Sequence, residues 1–243
     1  VVRVSGLTVE SNGPAVGLGQ TCKIELRDGK SVLAEVIGFR RKHLVLLPLE
    51  YVDGISPDDT VVAMNEPRTI PLDDSILGRI LDGLGRPIDG KGPLRGSEKR
   101  PLENISPGPL SRTMISEPLS LGLRALDGML TCGKGQRIGI FSGSGVGKSV
   151  LLGEIANASE TAVNVVVLVG ERGREVREFI EKDLGVEGLK RSVIIVATSD
   201  SAPIQRVKAG FVGATIAEYF RDKSLDVLFM MDSLTRFAHA QRE

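Results

Sequence analysis

Short apolar runs separated by turn residues fill the first part of the chain. Residues 21–26 alternate between apolar and polar side chains, Asp28-Gly29 is a turn signal typical of hairpins, and residues 31–37 are apolar again. Similar runs follow at 43–47 and 60–64. Five short strands in so little chain predict a small antiparallel β-barrel or sandwich, and we place an N-terminal barrel at residues 1–66.

The next segment, residues 67–112, is rich in proline, glycine and aspartate and has little sustained periodicity. Such a composition is typical of loops and turns. We therefore predict a structured connector that contains little regular secondary structure.

From residue 113 onwards, strand and helix patterns alternate. Apolar runs at 136–141, 162–169, 192–197 and 226–232 predict strands, and a helix is predicted from Lys148 to about Ala158. Two later helices carry apolar stripes, formed by Val176, Phe179, Ile180 and Leu184 in the first and by Ile204, Val207 and Phe211 in the second. This alternation predicts an α/β domain over 113–243, with a mainly parallel sheet and helices on both faces.

The strongest chemical signal is a glycine-rich stretch between a predicted strand and a predicted helix. Glycines allow successive backbone N–H groups to fold around phosphate oxygens, and the helix directs its positive end at the same oxygens. Lys148 would add a positive charge at the β- and γ-phosphates, and the Ser149 hydroxyl would be a ligand of Mg²⁺. The predicted ATP-binding residues are Ser142, Gly143, Ser144, Gly145, Val146, Gly147, Lys148, Ser149 and Val150. The usual pattern begins with glycine, whereas this chain has Ser142.

Two acidic residues stand at the ends of predicted strands. Asp232 follows Leu228-Phe-Met-Met, which suits a second Mg²⁺ ligand because parallel strands end at the nucleotide side of such sheets. Glu171 follows the strand at 162–169 and could polarise the attacking water, while Arg172 could reach the transferred phosphate. Lys148, Glu171 and Arg172 are therefore the predicted catalytic residues. For Arg236, phosphate contact and pairing with an acid remain equally good interpretations.

Composition and charge bear on which partners and which kinds of site to expect. Basic and acidic residues balance at 31 each, so net charge provides no attraction to nucleic acid or to a membrane surface. No apolar run approaches the roughly 18 residues that a membrane span needs. Cys22 and Cys132 are expected to be inert thiols in a reduced, cytoplasmic protein. His43 and His239 have no partners at ligand spacing, so neither is assigned to a metal, and the basic stretch 40–42 is predicted to be a solvated turn.

Three stretches together resemble the flagellum-specific ATPase of the bacterial type III export apparatus. They are Phe141-Ser-Gly-Ser-Gly-Val-Gly-Lys-Ser-Val-Leu-Leu, Val169-Gly-Glu-Arg-Gly-Arg-Glu-Val and Met231-Asp-Ser-Leu-Thr-Arg-Phe-Ala-His-Ala-Gln-Arg-Glu. The stretch at 77–89 is similar to a connector shared with rotary-ATPase subunits and with injectisome ATPases. The resemblance favours the flagellar branch. An injectisome type III secretion ATPase or another catalytic rotary-type subunit is the alternative.

The resemblance implies a six-stranded N-terminal barrel, a RecA-like ATPase domain and a C-terminal helical domain. It also implies a cytoplasmic homohexamer that reaches the inner-membrane export gate only through partners: a stator-like regulator, a stalk protein and export chaperones. The arginine finger and the helical domain would lie beyond Glu243, so residues 113–243 are expected to be a truncated ATPase domain with little activity alone. In this family, a glutamate at the position of Glu171 marks a catalytic chain.

Two other classes of function were weighed. A nucleic-acid motor would also join a small β domain to a RecA-like core, but single-strand binding usually uses aromatic platforms, and residues 1–140 contain only Phe39 and Tyr51. We therefore expect no nucleic-acid partner. A nucleotide-binding subunit without turnover is disfavoured by Glu171.

Overall fold

A computed structural model describes residues 1–51, 53–64, 68–102, 104–143 and 145–243. One predicted phosphate-loop residue, Ser144, and the predicted boundary between barrel and connector at 66–67 lie outside these described residues.

Short strands occupy the first half of the chain, and strands alternate with helices in the second half. The strands are β1 Arg3–Ser5, β2 Thr8–Ser11, β3 Thr21–Glu25, β4 Ser31–Arg40, β5 His43–Pro48, β6 Thr60–Ala63, β7 Thr69–Leu72, β8 Ile80–Asp82, β9 Glu98–Pro101, β10 Pro118–Leu119, β11 Cys132–Gly133, β12 Val163–Val169, β13 Ser192–Ala197 and β14 Val227–Asp232. The α-helices are α1 Arg124–Met129, α2 Lys148–Ala158, α3 Gly173–Glu178, α4 Gly185–Lys190, α5 Pro203–Asp222 and α6 Leu234–Arg242. A π-helical segment, Phe179–Leu184, joins α3 to α4, and 3₁₀ turns occupy Asp74–Ile76 and Pro109–Ser111.

The N-terminal unit is an antiparallel sheet with the strand order β1-β2-β5-β4-β3-β6. Alternation along the strands places one face in a common core, which contains Val9, Cys22, Ile24, Ala34, Val36 and Leu46. The N–H of Asp58 donates to the Val1 carbonyl at 2.9 Å, which brings the two ends of the sheet together. The predicted small barrel is confirmed.

The segment between barrel and nucleotide domain holds more regular structure than predicted. β7 and β9 form an antiparallel pair, and β8 pairs in parallel with β13 as an edge strand of the main sheet. The Arg79 guanidinium, next to β8, forms a 2.6 Å ion pair with Asp89, and both side chains are buried. The sequence analysis did not predict β8, because three residues are too few to show periodicity and because the strand forms only by pairing with the distant β13.

The main sheet has the order β14-β12-β13-β8, and all its strand pairs are parallel. β12 and β13 are buried throughout, because alternate side chains point to two different cores. On one face α5 packs on Val165, Val167 and Ile195, and on the other α2 and the π-helical segment pack on Val166 and Ile194. The predicted parallel sheet with helices on both faces is confirmed.

Two sequence predictions in this domain were wrong. Residues 136–141 form no strand: they pair with no strand among the described residues, and Ile138 and Phe141 are 47% and 96% exposed. Ile140 packs on a core cluster, but a segment without a neighbouring strand has no ladder hydrogen bonds to hold it as a strand. In α5, Phe211 is exposed rather than inward, beneath the Lys208 ammonium group, and the inner stripe instead continues through Val212 and Ile216.

Candidate functional site

The glycine-rich loop leads directly into α2. Gly145 and Gly147 have φ angles of 76° and 91°, which favour glycine over other residues, and α2 begins at Lys148. No atom lies within 4 Å of the position a Cβ would take at either glycine. The remaining described residues predicted to bind ATP (Ser142, Gly143, Val146, Ser149 and Val150) are all exposed. The loop therefore presents accessible backbone at the positive end of an 11-residue helix.

Lys148 lies against Asp232, the predicted Mg²⁺ ligand and the last residue of β14. The Lys148 Nζ atom is 2.5 Å from Asp232 Oδ1, although 84 positions separate the two residues in sequence. The Asp232 side chain is only 6% exposed and ends β14, whereas α2 brings Lys148 to the same edge of the sheet. The fold thus places the lysine and the carboxylate that the sequence assigned to phosphate and metal side by side.

Glu171 lies two residues beyond the end of β12, the strand that neighbours β14. In the register of the sheet, Leu168 is opposite Asp232, so Glu171 extends past the same edge. The Glu171 carbonyl accepts a 3.1 Å hydrogen bond from the Ser199 N–H, which holds the backbone there against the segment after β13. Three of the predicted site residues, Lys148, Glu171 and Asp232, therefore lie at one end of the sheet.

The electrostatics around Glu171 are unusual for an acid. Burial and a hydrogen bond with Glu175 raise the pKa of Glu171 to about 7, although the Arg236 guanidinium, 3.3 Å away, opposes the rise. The same hydrogen bond lowers the pKa of Glu175. A carboxyl group with a pKa near neutrality can accept or release a proton at physiological pH, which is the property a general base needs.

Arg172 is placed differently from the other predicted catalytic residues. Its side chain is 80% exposed and lies 3.6 Å from the Glu175 carboxylate, at the start of α3. Its backbone N–H donates to Glu175 at 3.4 Å. The structure therefore brings together Lys148, Glu171 and Asp232, and leaves the Arg172 guanidinium in solvent beside them.

The donors at this edge suit MgATP. Mg²⁺ prefers oxygen ligands and is usually held by one or two protein groups, phosphate oxygens and water. Asp232 and Ser149 could supply those protein oxygens, and the exposed loop could hold the phosphates. Among the described residues there is no cluster of three or more His, Cys, Asp or Glu side chains able to hold a metal ion.

Sequence reasoning missed one residue of this site and left the role of another open. Glu175 was not considered, although it follows Glu171 by four residues along the motif at 169–176. For Arg236 the structure shows pairing with Glu171, across a turn where Gly170 (φ 72°) leaves room for the arginine stem. The buried Cys22 and Cys132 thiols, whose pKa values burial raises, take no part in the site.

Family models cover most of the chain. Residues 122–243 match the nucleotide-binding domain of the ATP synthase alpha/beta family, and residues 1–65 match the β-barrel domain of the same family. The chain belongs to the ATP synthase alpha/beta family. Within this family the chain is 50% identical to the flagellum-specific ATP synthase of Bacillus subtilis and 49% identical to a type 3 secretion system ATPase of Xanthomonas euvesicatoria. Both comparisons cover the whole chain but only 56% and 55% of the relatives, so the chain spans just over half their length.

Solved structures agree with this family assignment. The assembled ATPase EscN from the type III secretion system of enteropathogenic E. coli superposes with a TM-score of 0.91 at 43% identity, over 99% of this chain and 58% of that protein. A second EscN structure, in complex with its central stalk EscO, gives the same TM-score and identity. Among the residues described, no helix has the length and apolar character needed to cross a bilayer.

Proposed function

We propose that the protein containing this chain is an ATPase that energises protein export through the flagellar type III apparatus. The observation that carries the proposal is the meeting of Lys148 with Asp232 at the sheet edge where Glu171 also emerges. The flagellum-specific relatives supply the cellular role.

In this proposal each group has a distinct task. The backbone of residues 142–147 and the Lys148 ammonium group bind the β- and γ-phosphates, while Ser149 and Asp232 hold Mg²⁺, which would neutralise charge on the phosphates. Glu171 orients and polarises the attacking water. Arg172, at the start of α3, is free to turn towards the transferred phosphate, because its side chain is exposed.

Exchange of Glu171 for glutamine tests the enzymatic part of the proposal. In the full-length protein, Glu171→Gln should preserve ATP affinity and lose most hydrolysis, because it removes the group that acts on water and leaves the phosphate cradle. Glu181→Gln is the matched control, since Glu181 is an exposed acid that pairs with Arg177 on the surface of the helical segment. Near wild-type turnover of Glu171→Gln would refute the role of Glu171.

The injectisome is a second candidate, favoured by the 49% identical Xanthomonas relative and by EscN. The two can be separated in the source organism by deleting the gene and scoring motility and secretion. Loss of flagella with normal secretion of injectisome substrates supports the flagellar branch, and the opposite result supports the injectisome.

Assembly and location also belong to the proposal. We expect a cytoplasmic homohexamer that contacts a stalk protein, a stator-like regulator, export chaperones and, through them, the inner-membrane export gate. The structures of assembled EscN and of its complex with EscO support the assembly and the stalk. Light scattering of the full-length protein with and without MgATP would measure the expected sixfold mass.

A further inference from the structure

The far end of α2, opposite the phosphate loop, is held by an arginine. An α-helix leaves its last four carbonyl groups without partners in the helix. The Arg191 guanidinium donates to the Asn157 carbonyl at 2.8 Å and to the Ala156 carbonyl, both in the last turn of α2. It also donates to the carbonyls of Ser159 and Thr161, at 3.0 and 2.9 Å, where the chain leaves the helix. One side chain thus satisfies four carbonyls at this end.

A buried asparagine reinforces the same contact. The Asn164 side-chain amide donates to the Ala156 carbonyl at 2.8 Å and accepts from the Thr161 hydroxyl at 3.1 Å, and Asn164 is fully buried. The Asn164 backbone N–H donates to the Arg191 carbonyl at 2.9 Å. The two anchoring residues are therefore bonded to each other as well as to the helix.

The two anchoring residues, Asn164 and Arg191, are fixed to the main sheet. Asn164 is the second residue of β12, and Arg191 immediately precedes β13. They stand at the edge where these strands begin, and α2 runs from there to the edge where the strands end, about 16 Å for 11 residues. At that second edge Lys148 meets Asp232. The helix is consequently tied to one sheet at both of its ends.

This arrangement divides the site into two parts. The phosphate-binding groups, residues 145–149, move with α2, whereas Glu171 and Asp232 move with the sheet. Any slide of α2 along its axis changes the distance between the two parts without altering either one. Packing of α2 in the core opposes such a slide, and the directional hydrogen bonds at the end of the helix add a fixed reference point on the sheet.

We propose that Arg191 is a positioning residue that fixes the axial register of α2, and so the distance from Ser149 and Lys148 to Asp232. Its positive charge also lies at the negative end of the helix dipole, which favours the same contact. The inference rests on the proposed function, since it concerns the placement of groups that bind MgATP.

The test compares Arg191→Lys and Arg191→Met in the full-length protein with Lys190→Met. Lys190 is the neighbouring cation, and its exposed side chain pairs with Glu187, so its removal controls for charge. Lysine at 191 retains the charge but cannot span four carbonyls. Each variant is examined by circular dichroism and thermal unfolding, by binding of a fluorescent ADP analogue in EDTA and in Mg²⁺, and by steady-state hydrolysis.

Positioning predicts a specific pattern. In EDTA, both Arg191 variants should bind the analogue within about twofold of wild type, because the loop moves with its helix. The gain in affinity on adding Mg²⁺ should shrink, and kcat should fall roughly ten- to hundredfold with a smaller change in KM, as misplacement by about 1 Å implies. Lys190→Met should match wild type throughout.

Each other outcome has a definite meaning. If the Arg191 variants lose activity only in proportion to their folded fraction, with the wild-type gain from Mg²⁺, the residue is merely structural and the proposal fails. If Arg191→Met does not fold, Arg191→Lys decides. If the wild-type protein itself shows no Mg²⁺-dependent binding, the proposed function fails first.

Discussion

Replacement of Gly170 by alanine tests how closely α6 and the Glu171 turn must fit. Gly170 has a φ of 72°, and an added Cβ would lie 2.6 Å from Arg236 Cδ and 2.9 Å from Arg236 Cβ. The Cδ atom could swing away on its side chain, but the Cβ atom is fixed to the backbone of α6, so the helix itself must move. That movement would withdraw the guanidinium from Glu171, which is now 3.3 Å away.

The expected cost has two parts. A left-handed alanine costs about 1–2 kcal/mol relative to glycine, and overpacking adds about 1–3 kcal/mol. We expect Gly170→Ala to lower the free energy of unfolding by about 2–5 kcal/mol. We also expect it to reduce ATP hydrolysis by the full-length protein roughly ten- to hundredfold, because Glu171 loses its partner and its placement.

Gly135→Ala is the matched control for the conformational part. Gly135 has a φ of 86°, and its nearest neighbour, Ile115 Cγ1, would be 4.0 Å from the new Cβ, an ordinary contact. This variant should lose about 1–2 kcal/mol and keep its hydrolysis rate. Urea unfolding followed by circular dichroism gives the free energies, and phosphate release gives the rates.

A double-mutant cycle separates the clash from other effects. Arg236→Gly removes Cβ as well as Cγ and Cδ, so the cost of Gly170→Ala should be smaller in that background, with a coupling energy of about 1 kcal/mol. Equal losses of stability in Gly170→Ala and Gly135→Ala, with additive behaviour in the cycle, would show that the turn tolerates a side chain and that the contact has no energetic role.

Three further predictions concern stability. The hydrogen bonds from Arg79, Lys91 and Ile80 outweigh burial and lower the pKa of Asp89 to about 2. Because the folded-state pKa lies below the unfolded value near 4, ionised Asp89 stabilises the protein above pH 4 by about 2 kcal/mol, and this contribution is lost as the pH falls towards 2. The destabilisation caused by Asp89→Asn, measured in urea, should therefore shrink from pH 7 to pH 3. A destabilisation that does not depend on pH would contradict this prediction. Gly213→Ala should cost about 1–3 kcal/mol in urea unfolding, because its Cβ would collide with a core valine of β12; a neutral result would mean that α5 can shift freely. Gly128→Ala meets no atom within 4 Å in α1 and should instead stabilise the protein by about 0.5–1 kcal/mol, so a loss there would show an unsuspected contact.

Local chemistry explains why much of the site could be predicted from the sequence. The phosphate loop and the start of α2 are contiguous, so glycine content, helix start and the position of Lys148 follow from neighbouring residues alone. The apolar runs that form β12 and β13 likewise predict strands buried on both faces. Such strands need apolar side chains at nearly every position. The ends of β12 and of the predicted strand that became β14 then located Glu171 and Asp232.

Contacts between distant segments belong to the tertiary structure. Whether residues 136–141 form a strand depends on a neighbour that their own sequence does not contain, and β8 exists as a strand because β13 lies beside it. The pairing of Arg236 with Glu171 and the four bonds of Arg191 join residues 30 to 65 positions apart. The sequence by itself thus determined which residues carry groups suited to phosphate and metal, because that chemistry is local. Only the folded chain decided how far apart they are held, because distance across a sheet is set by packing and register.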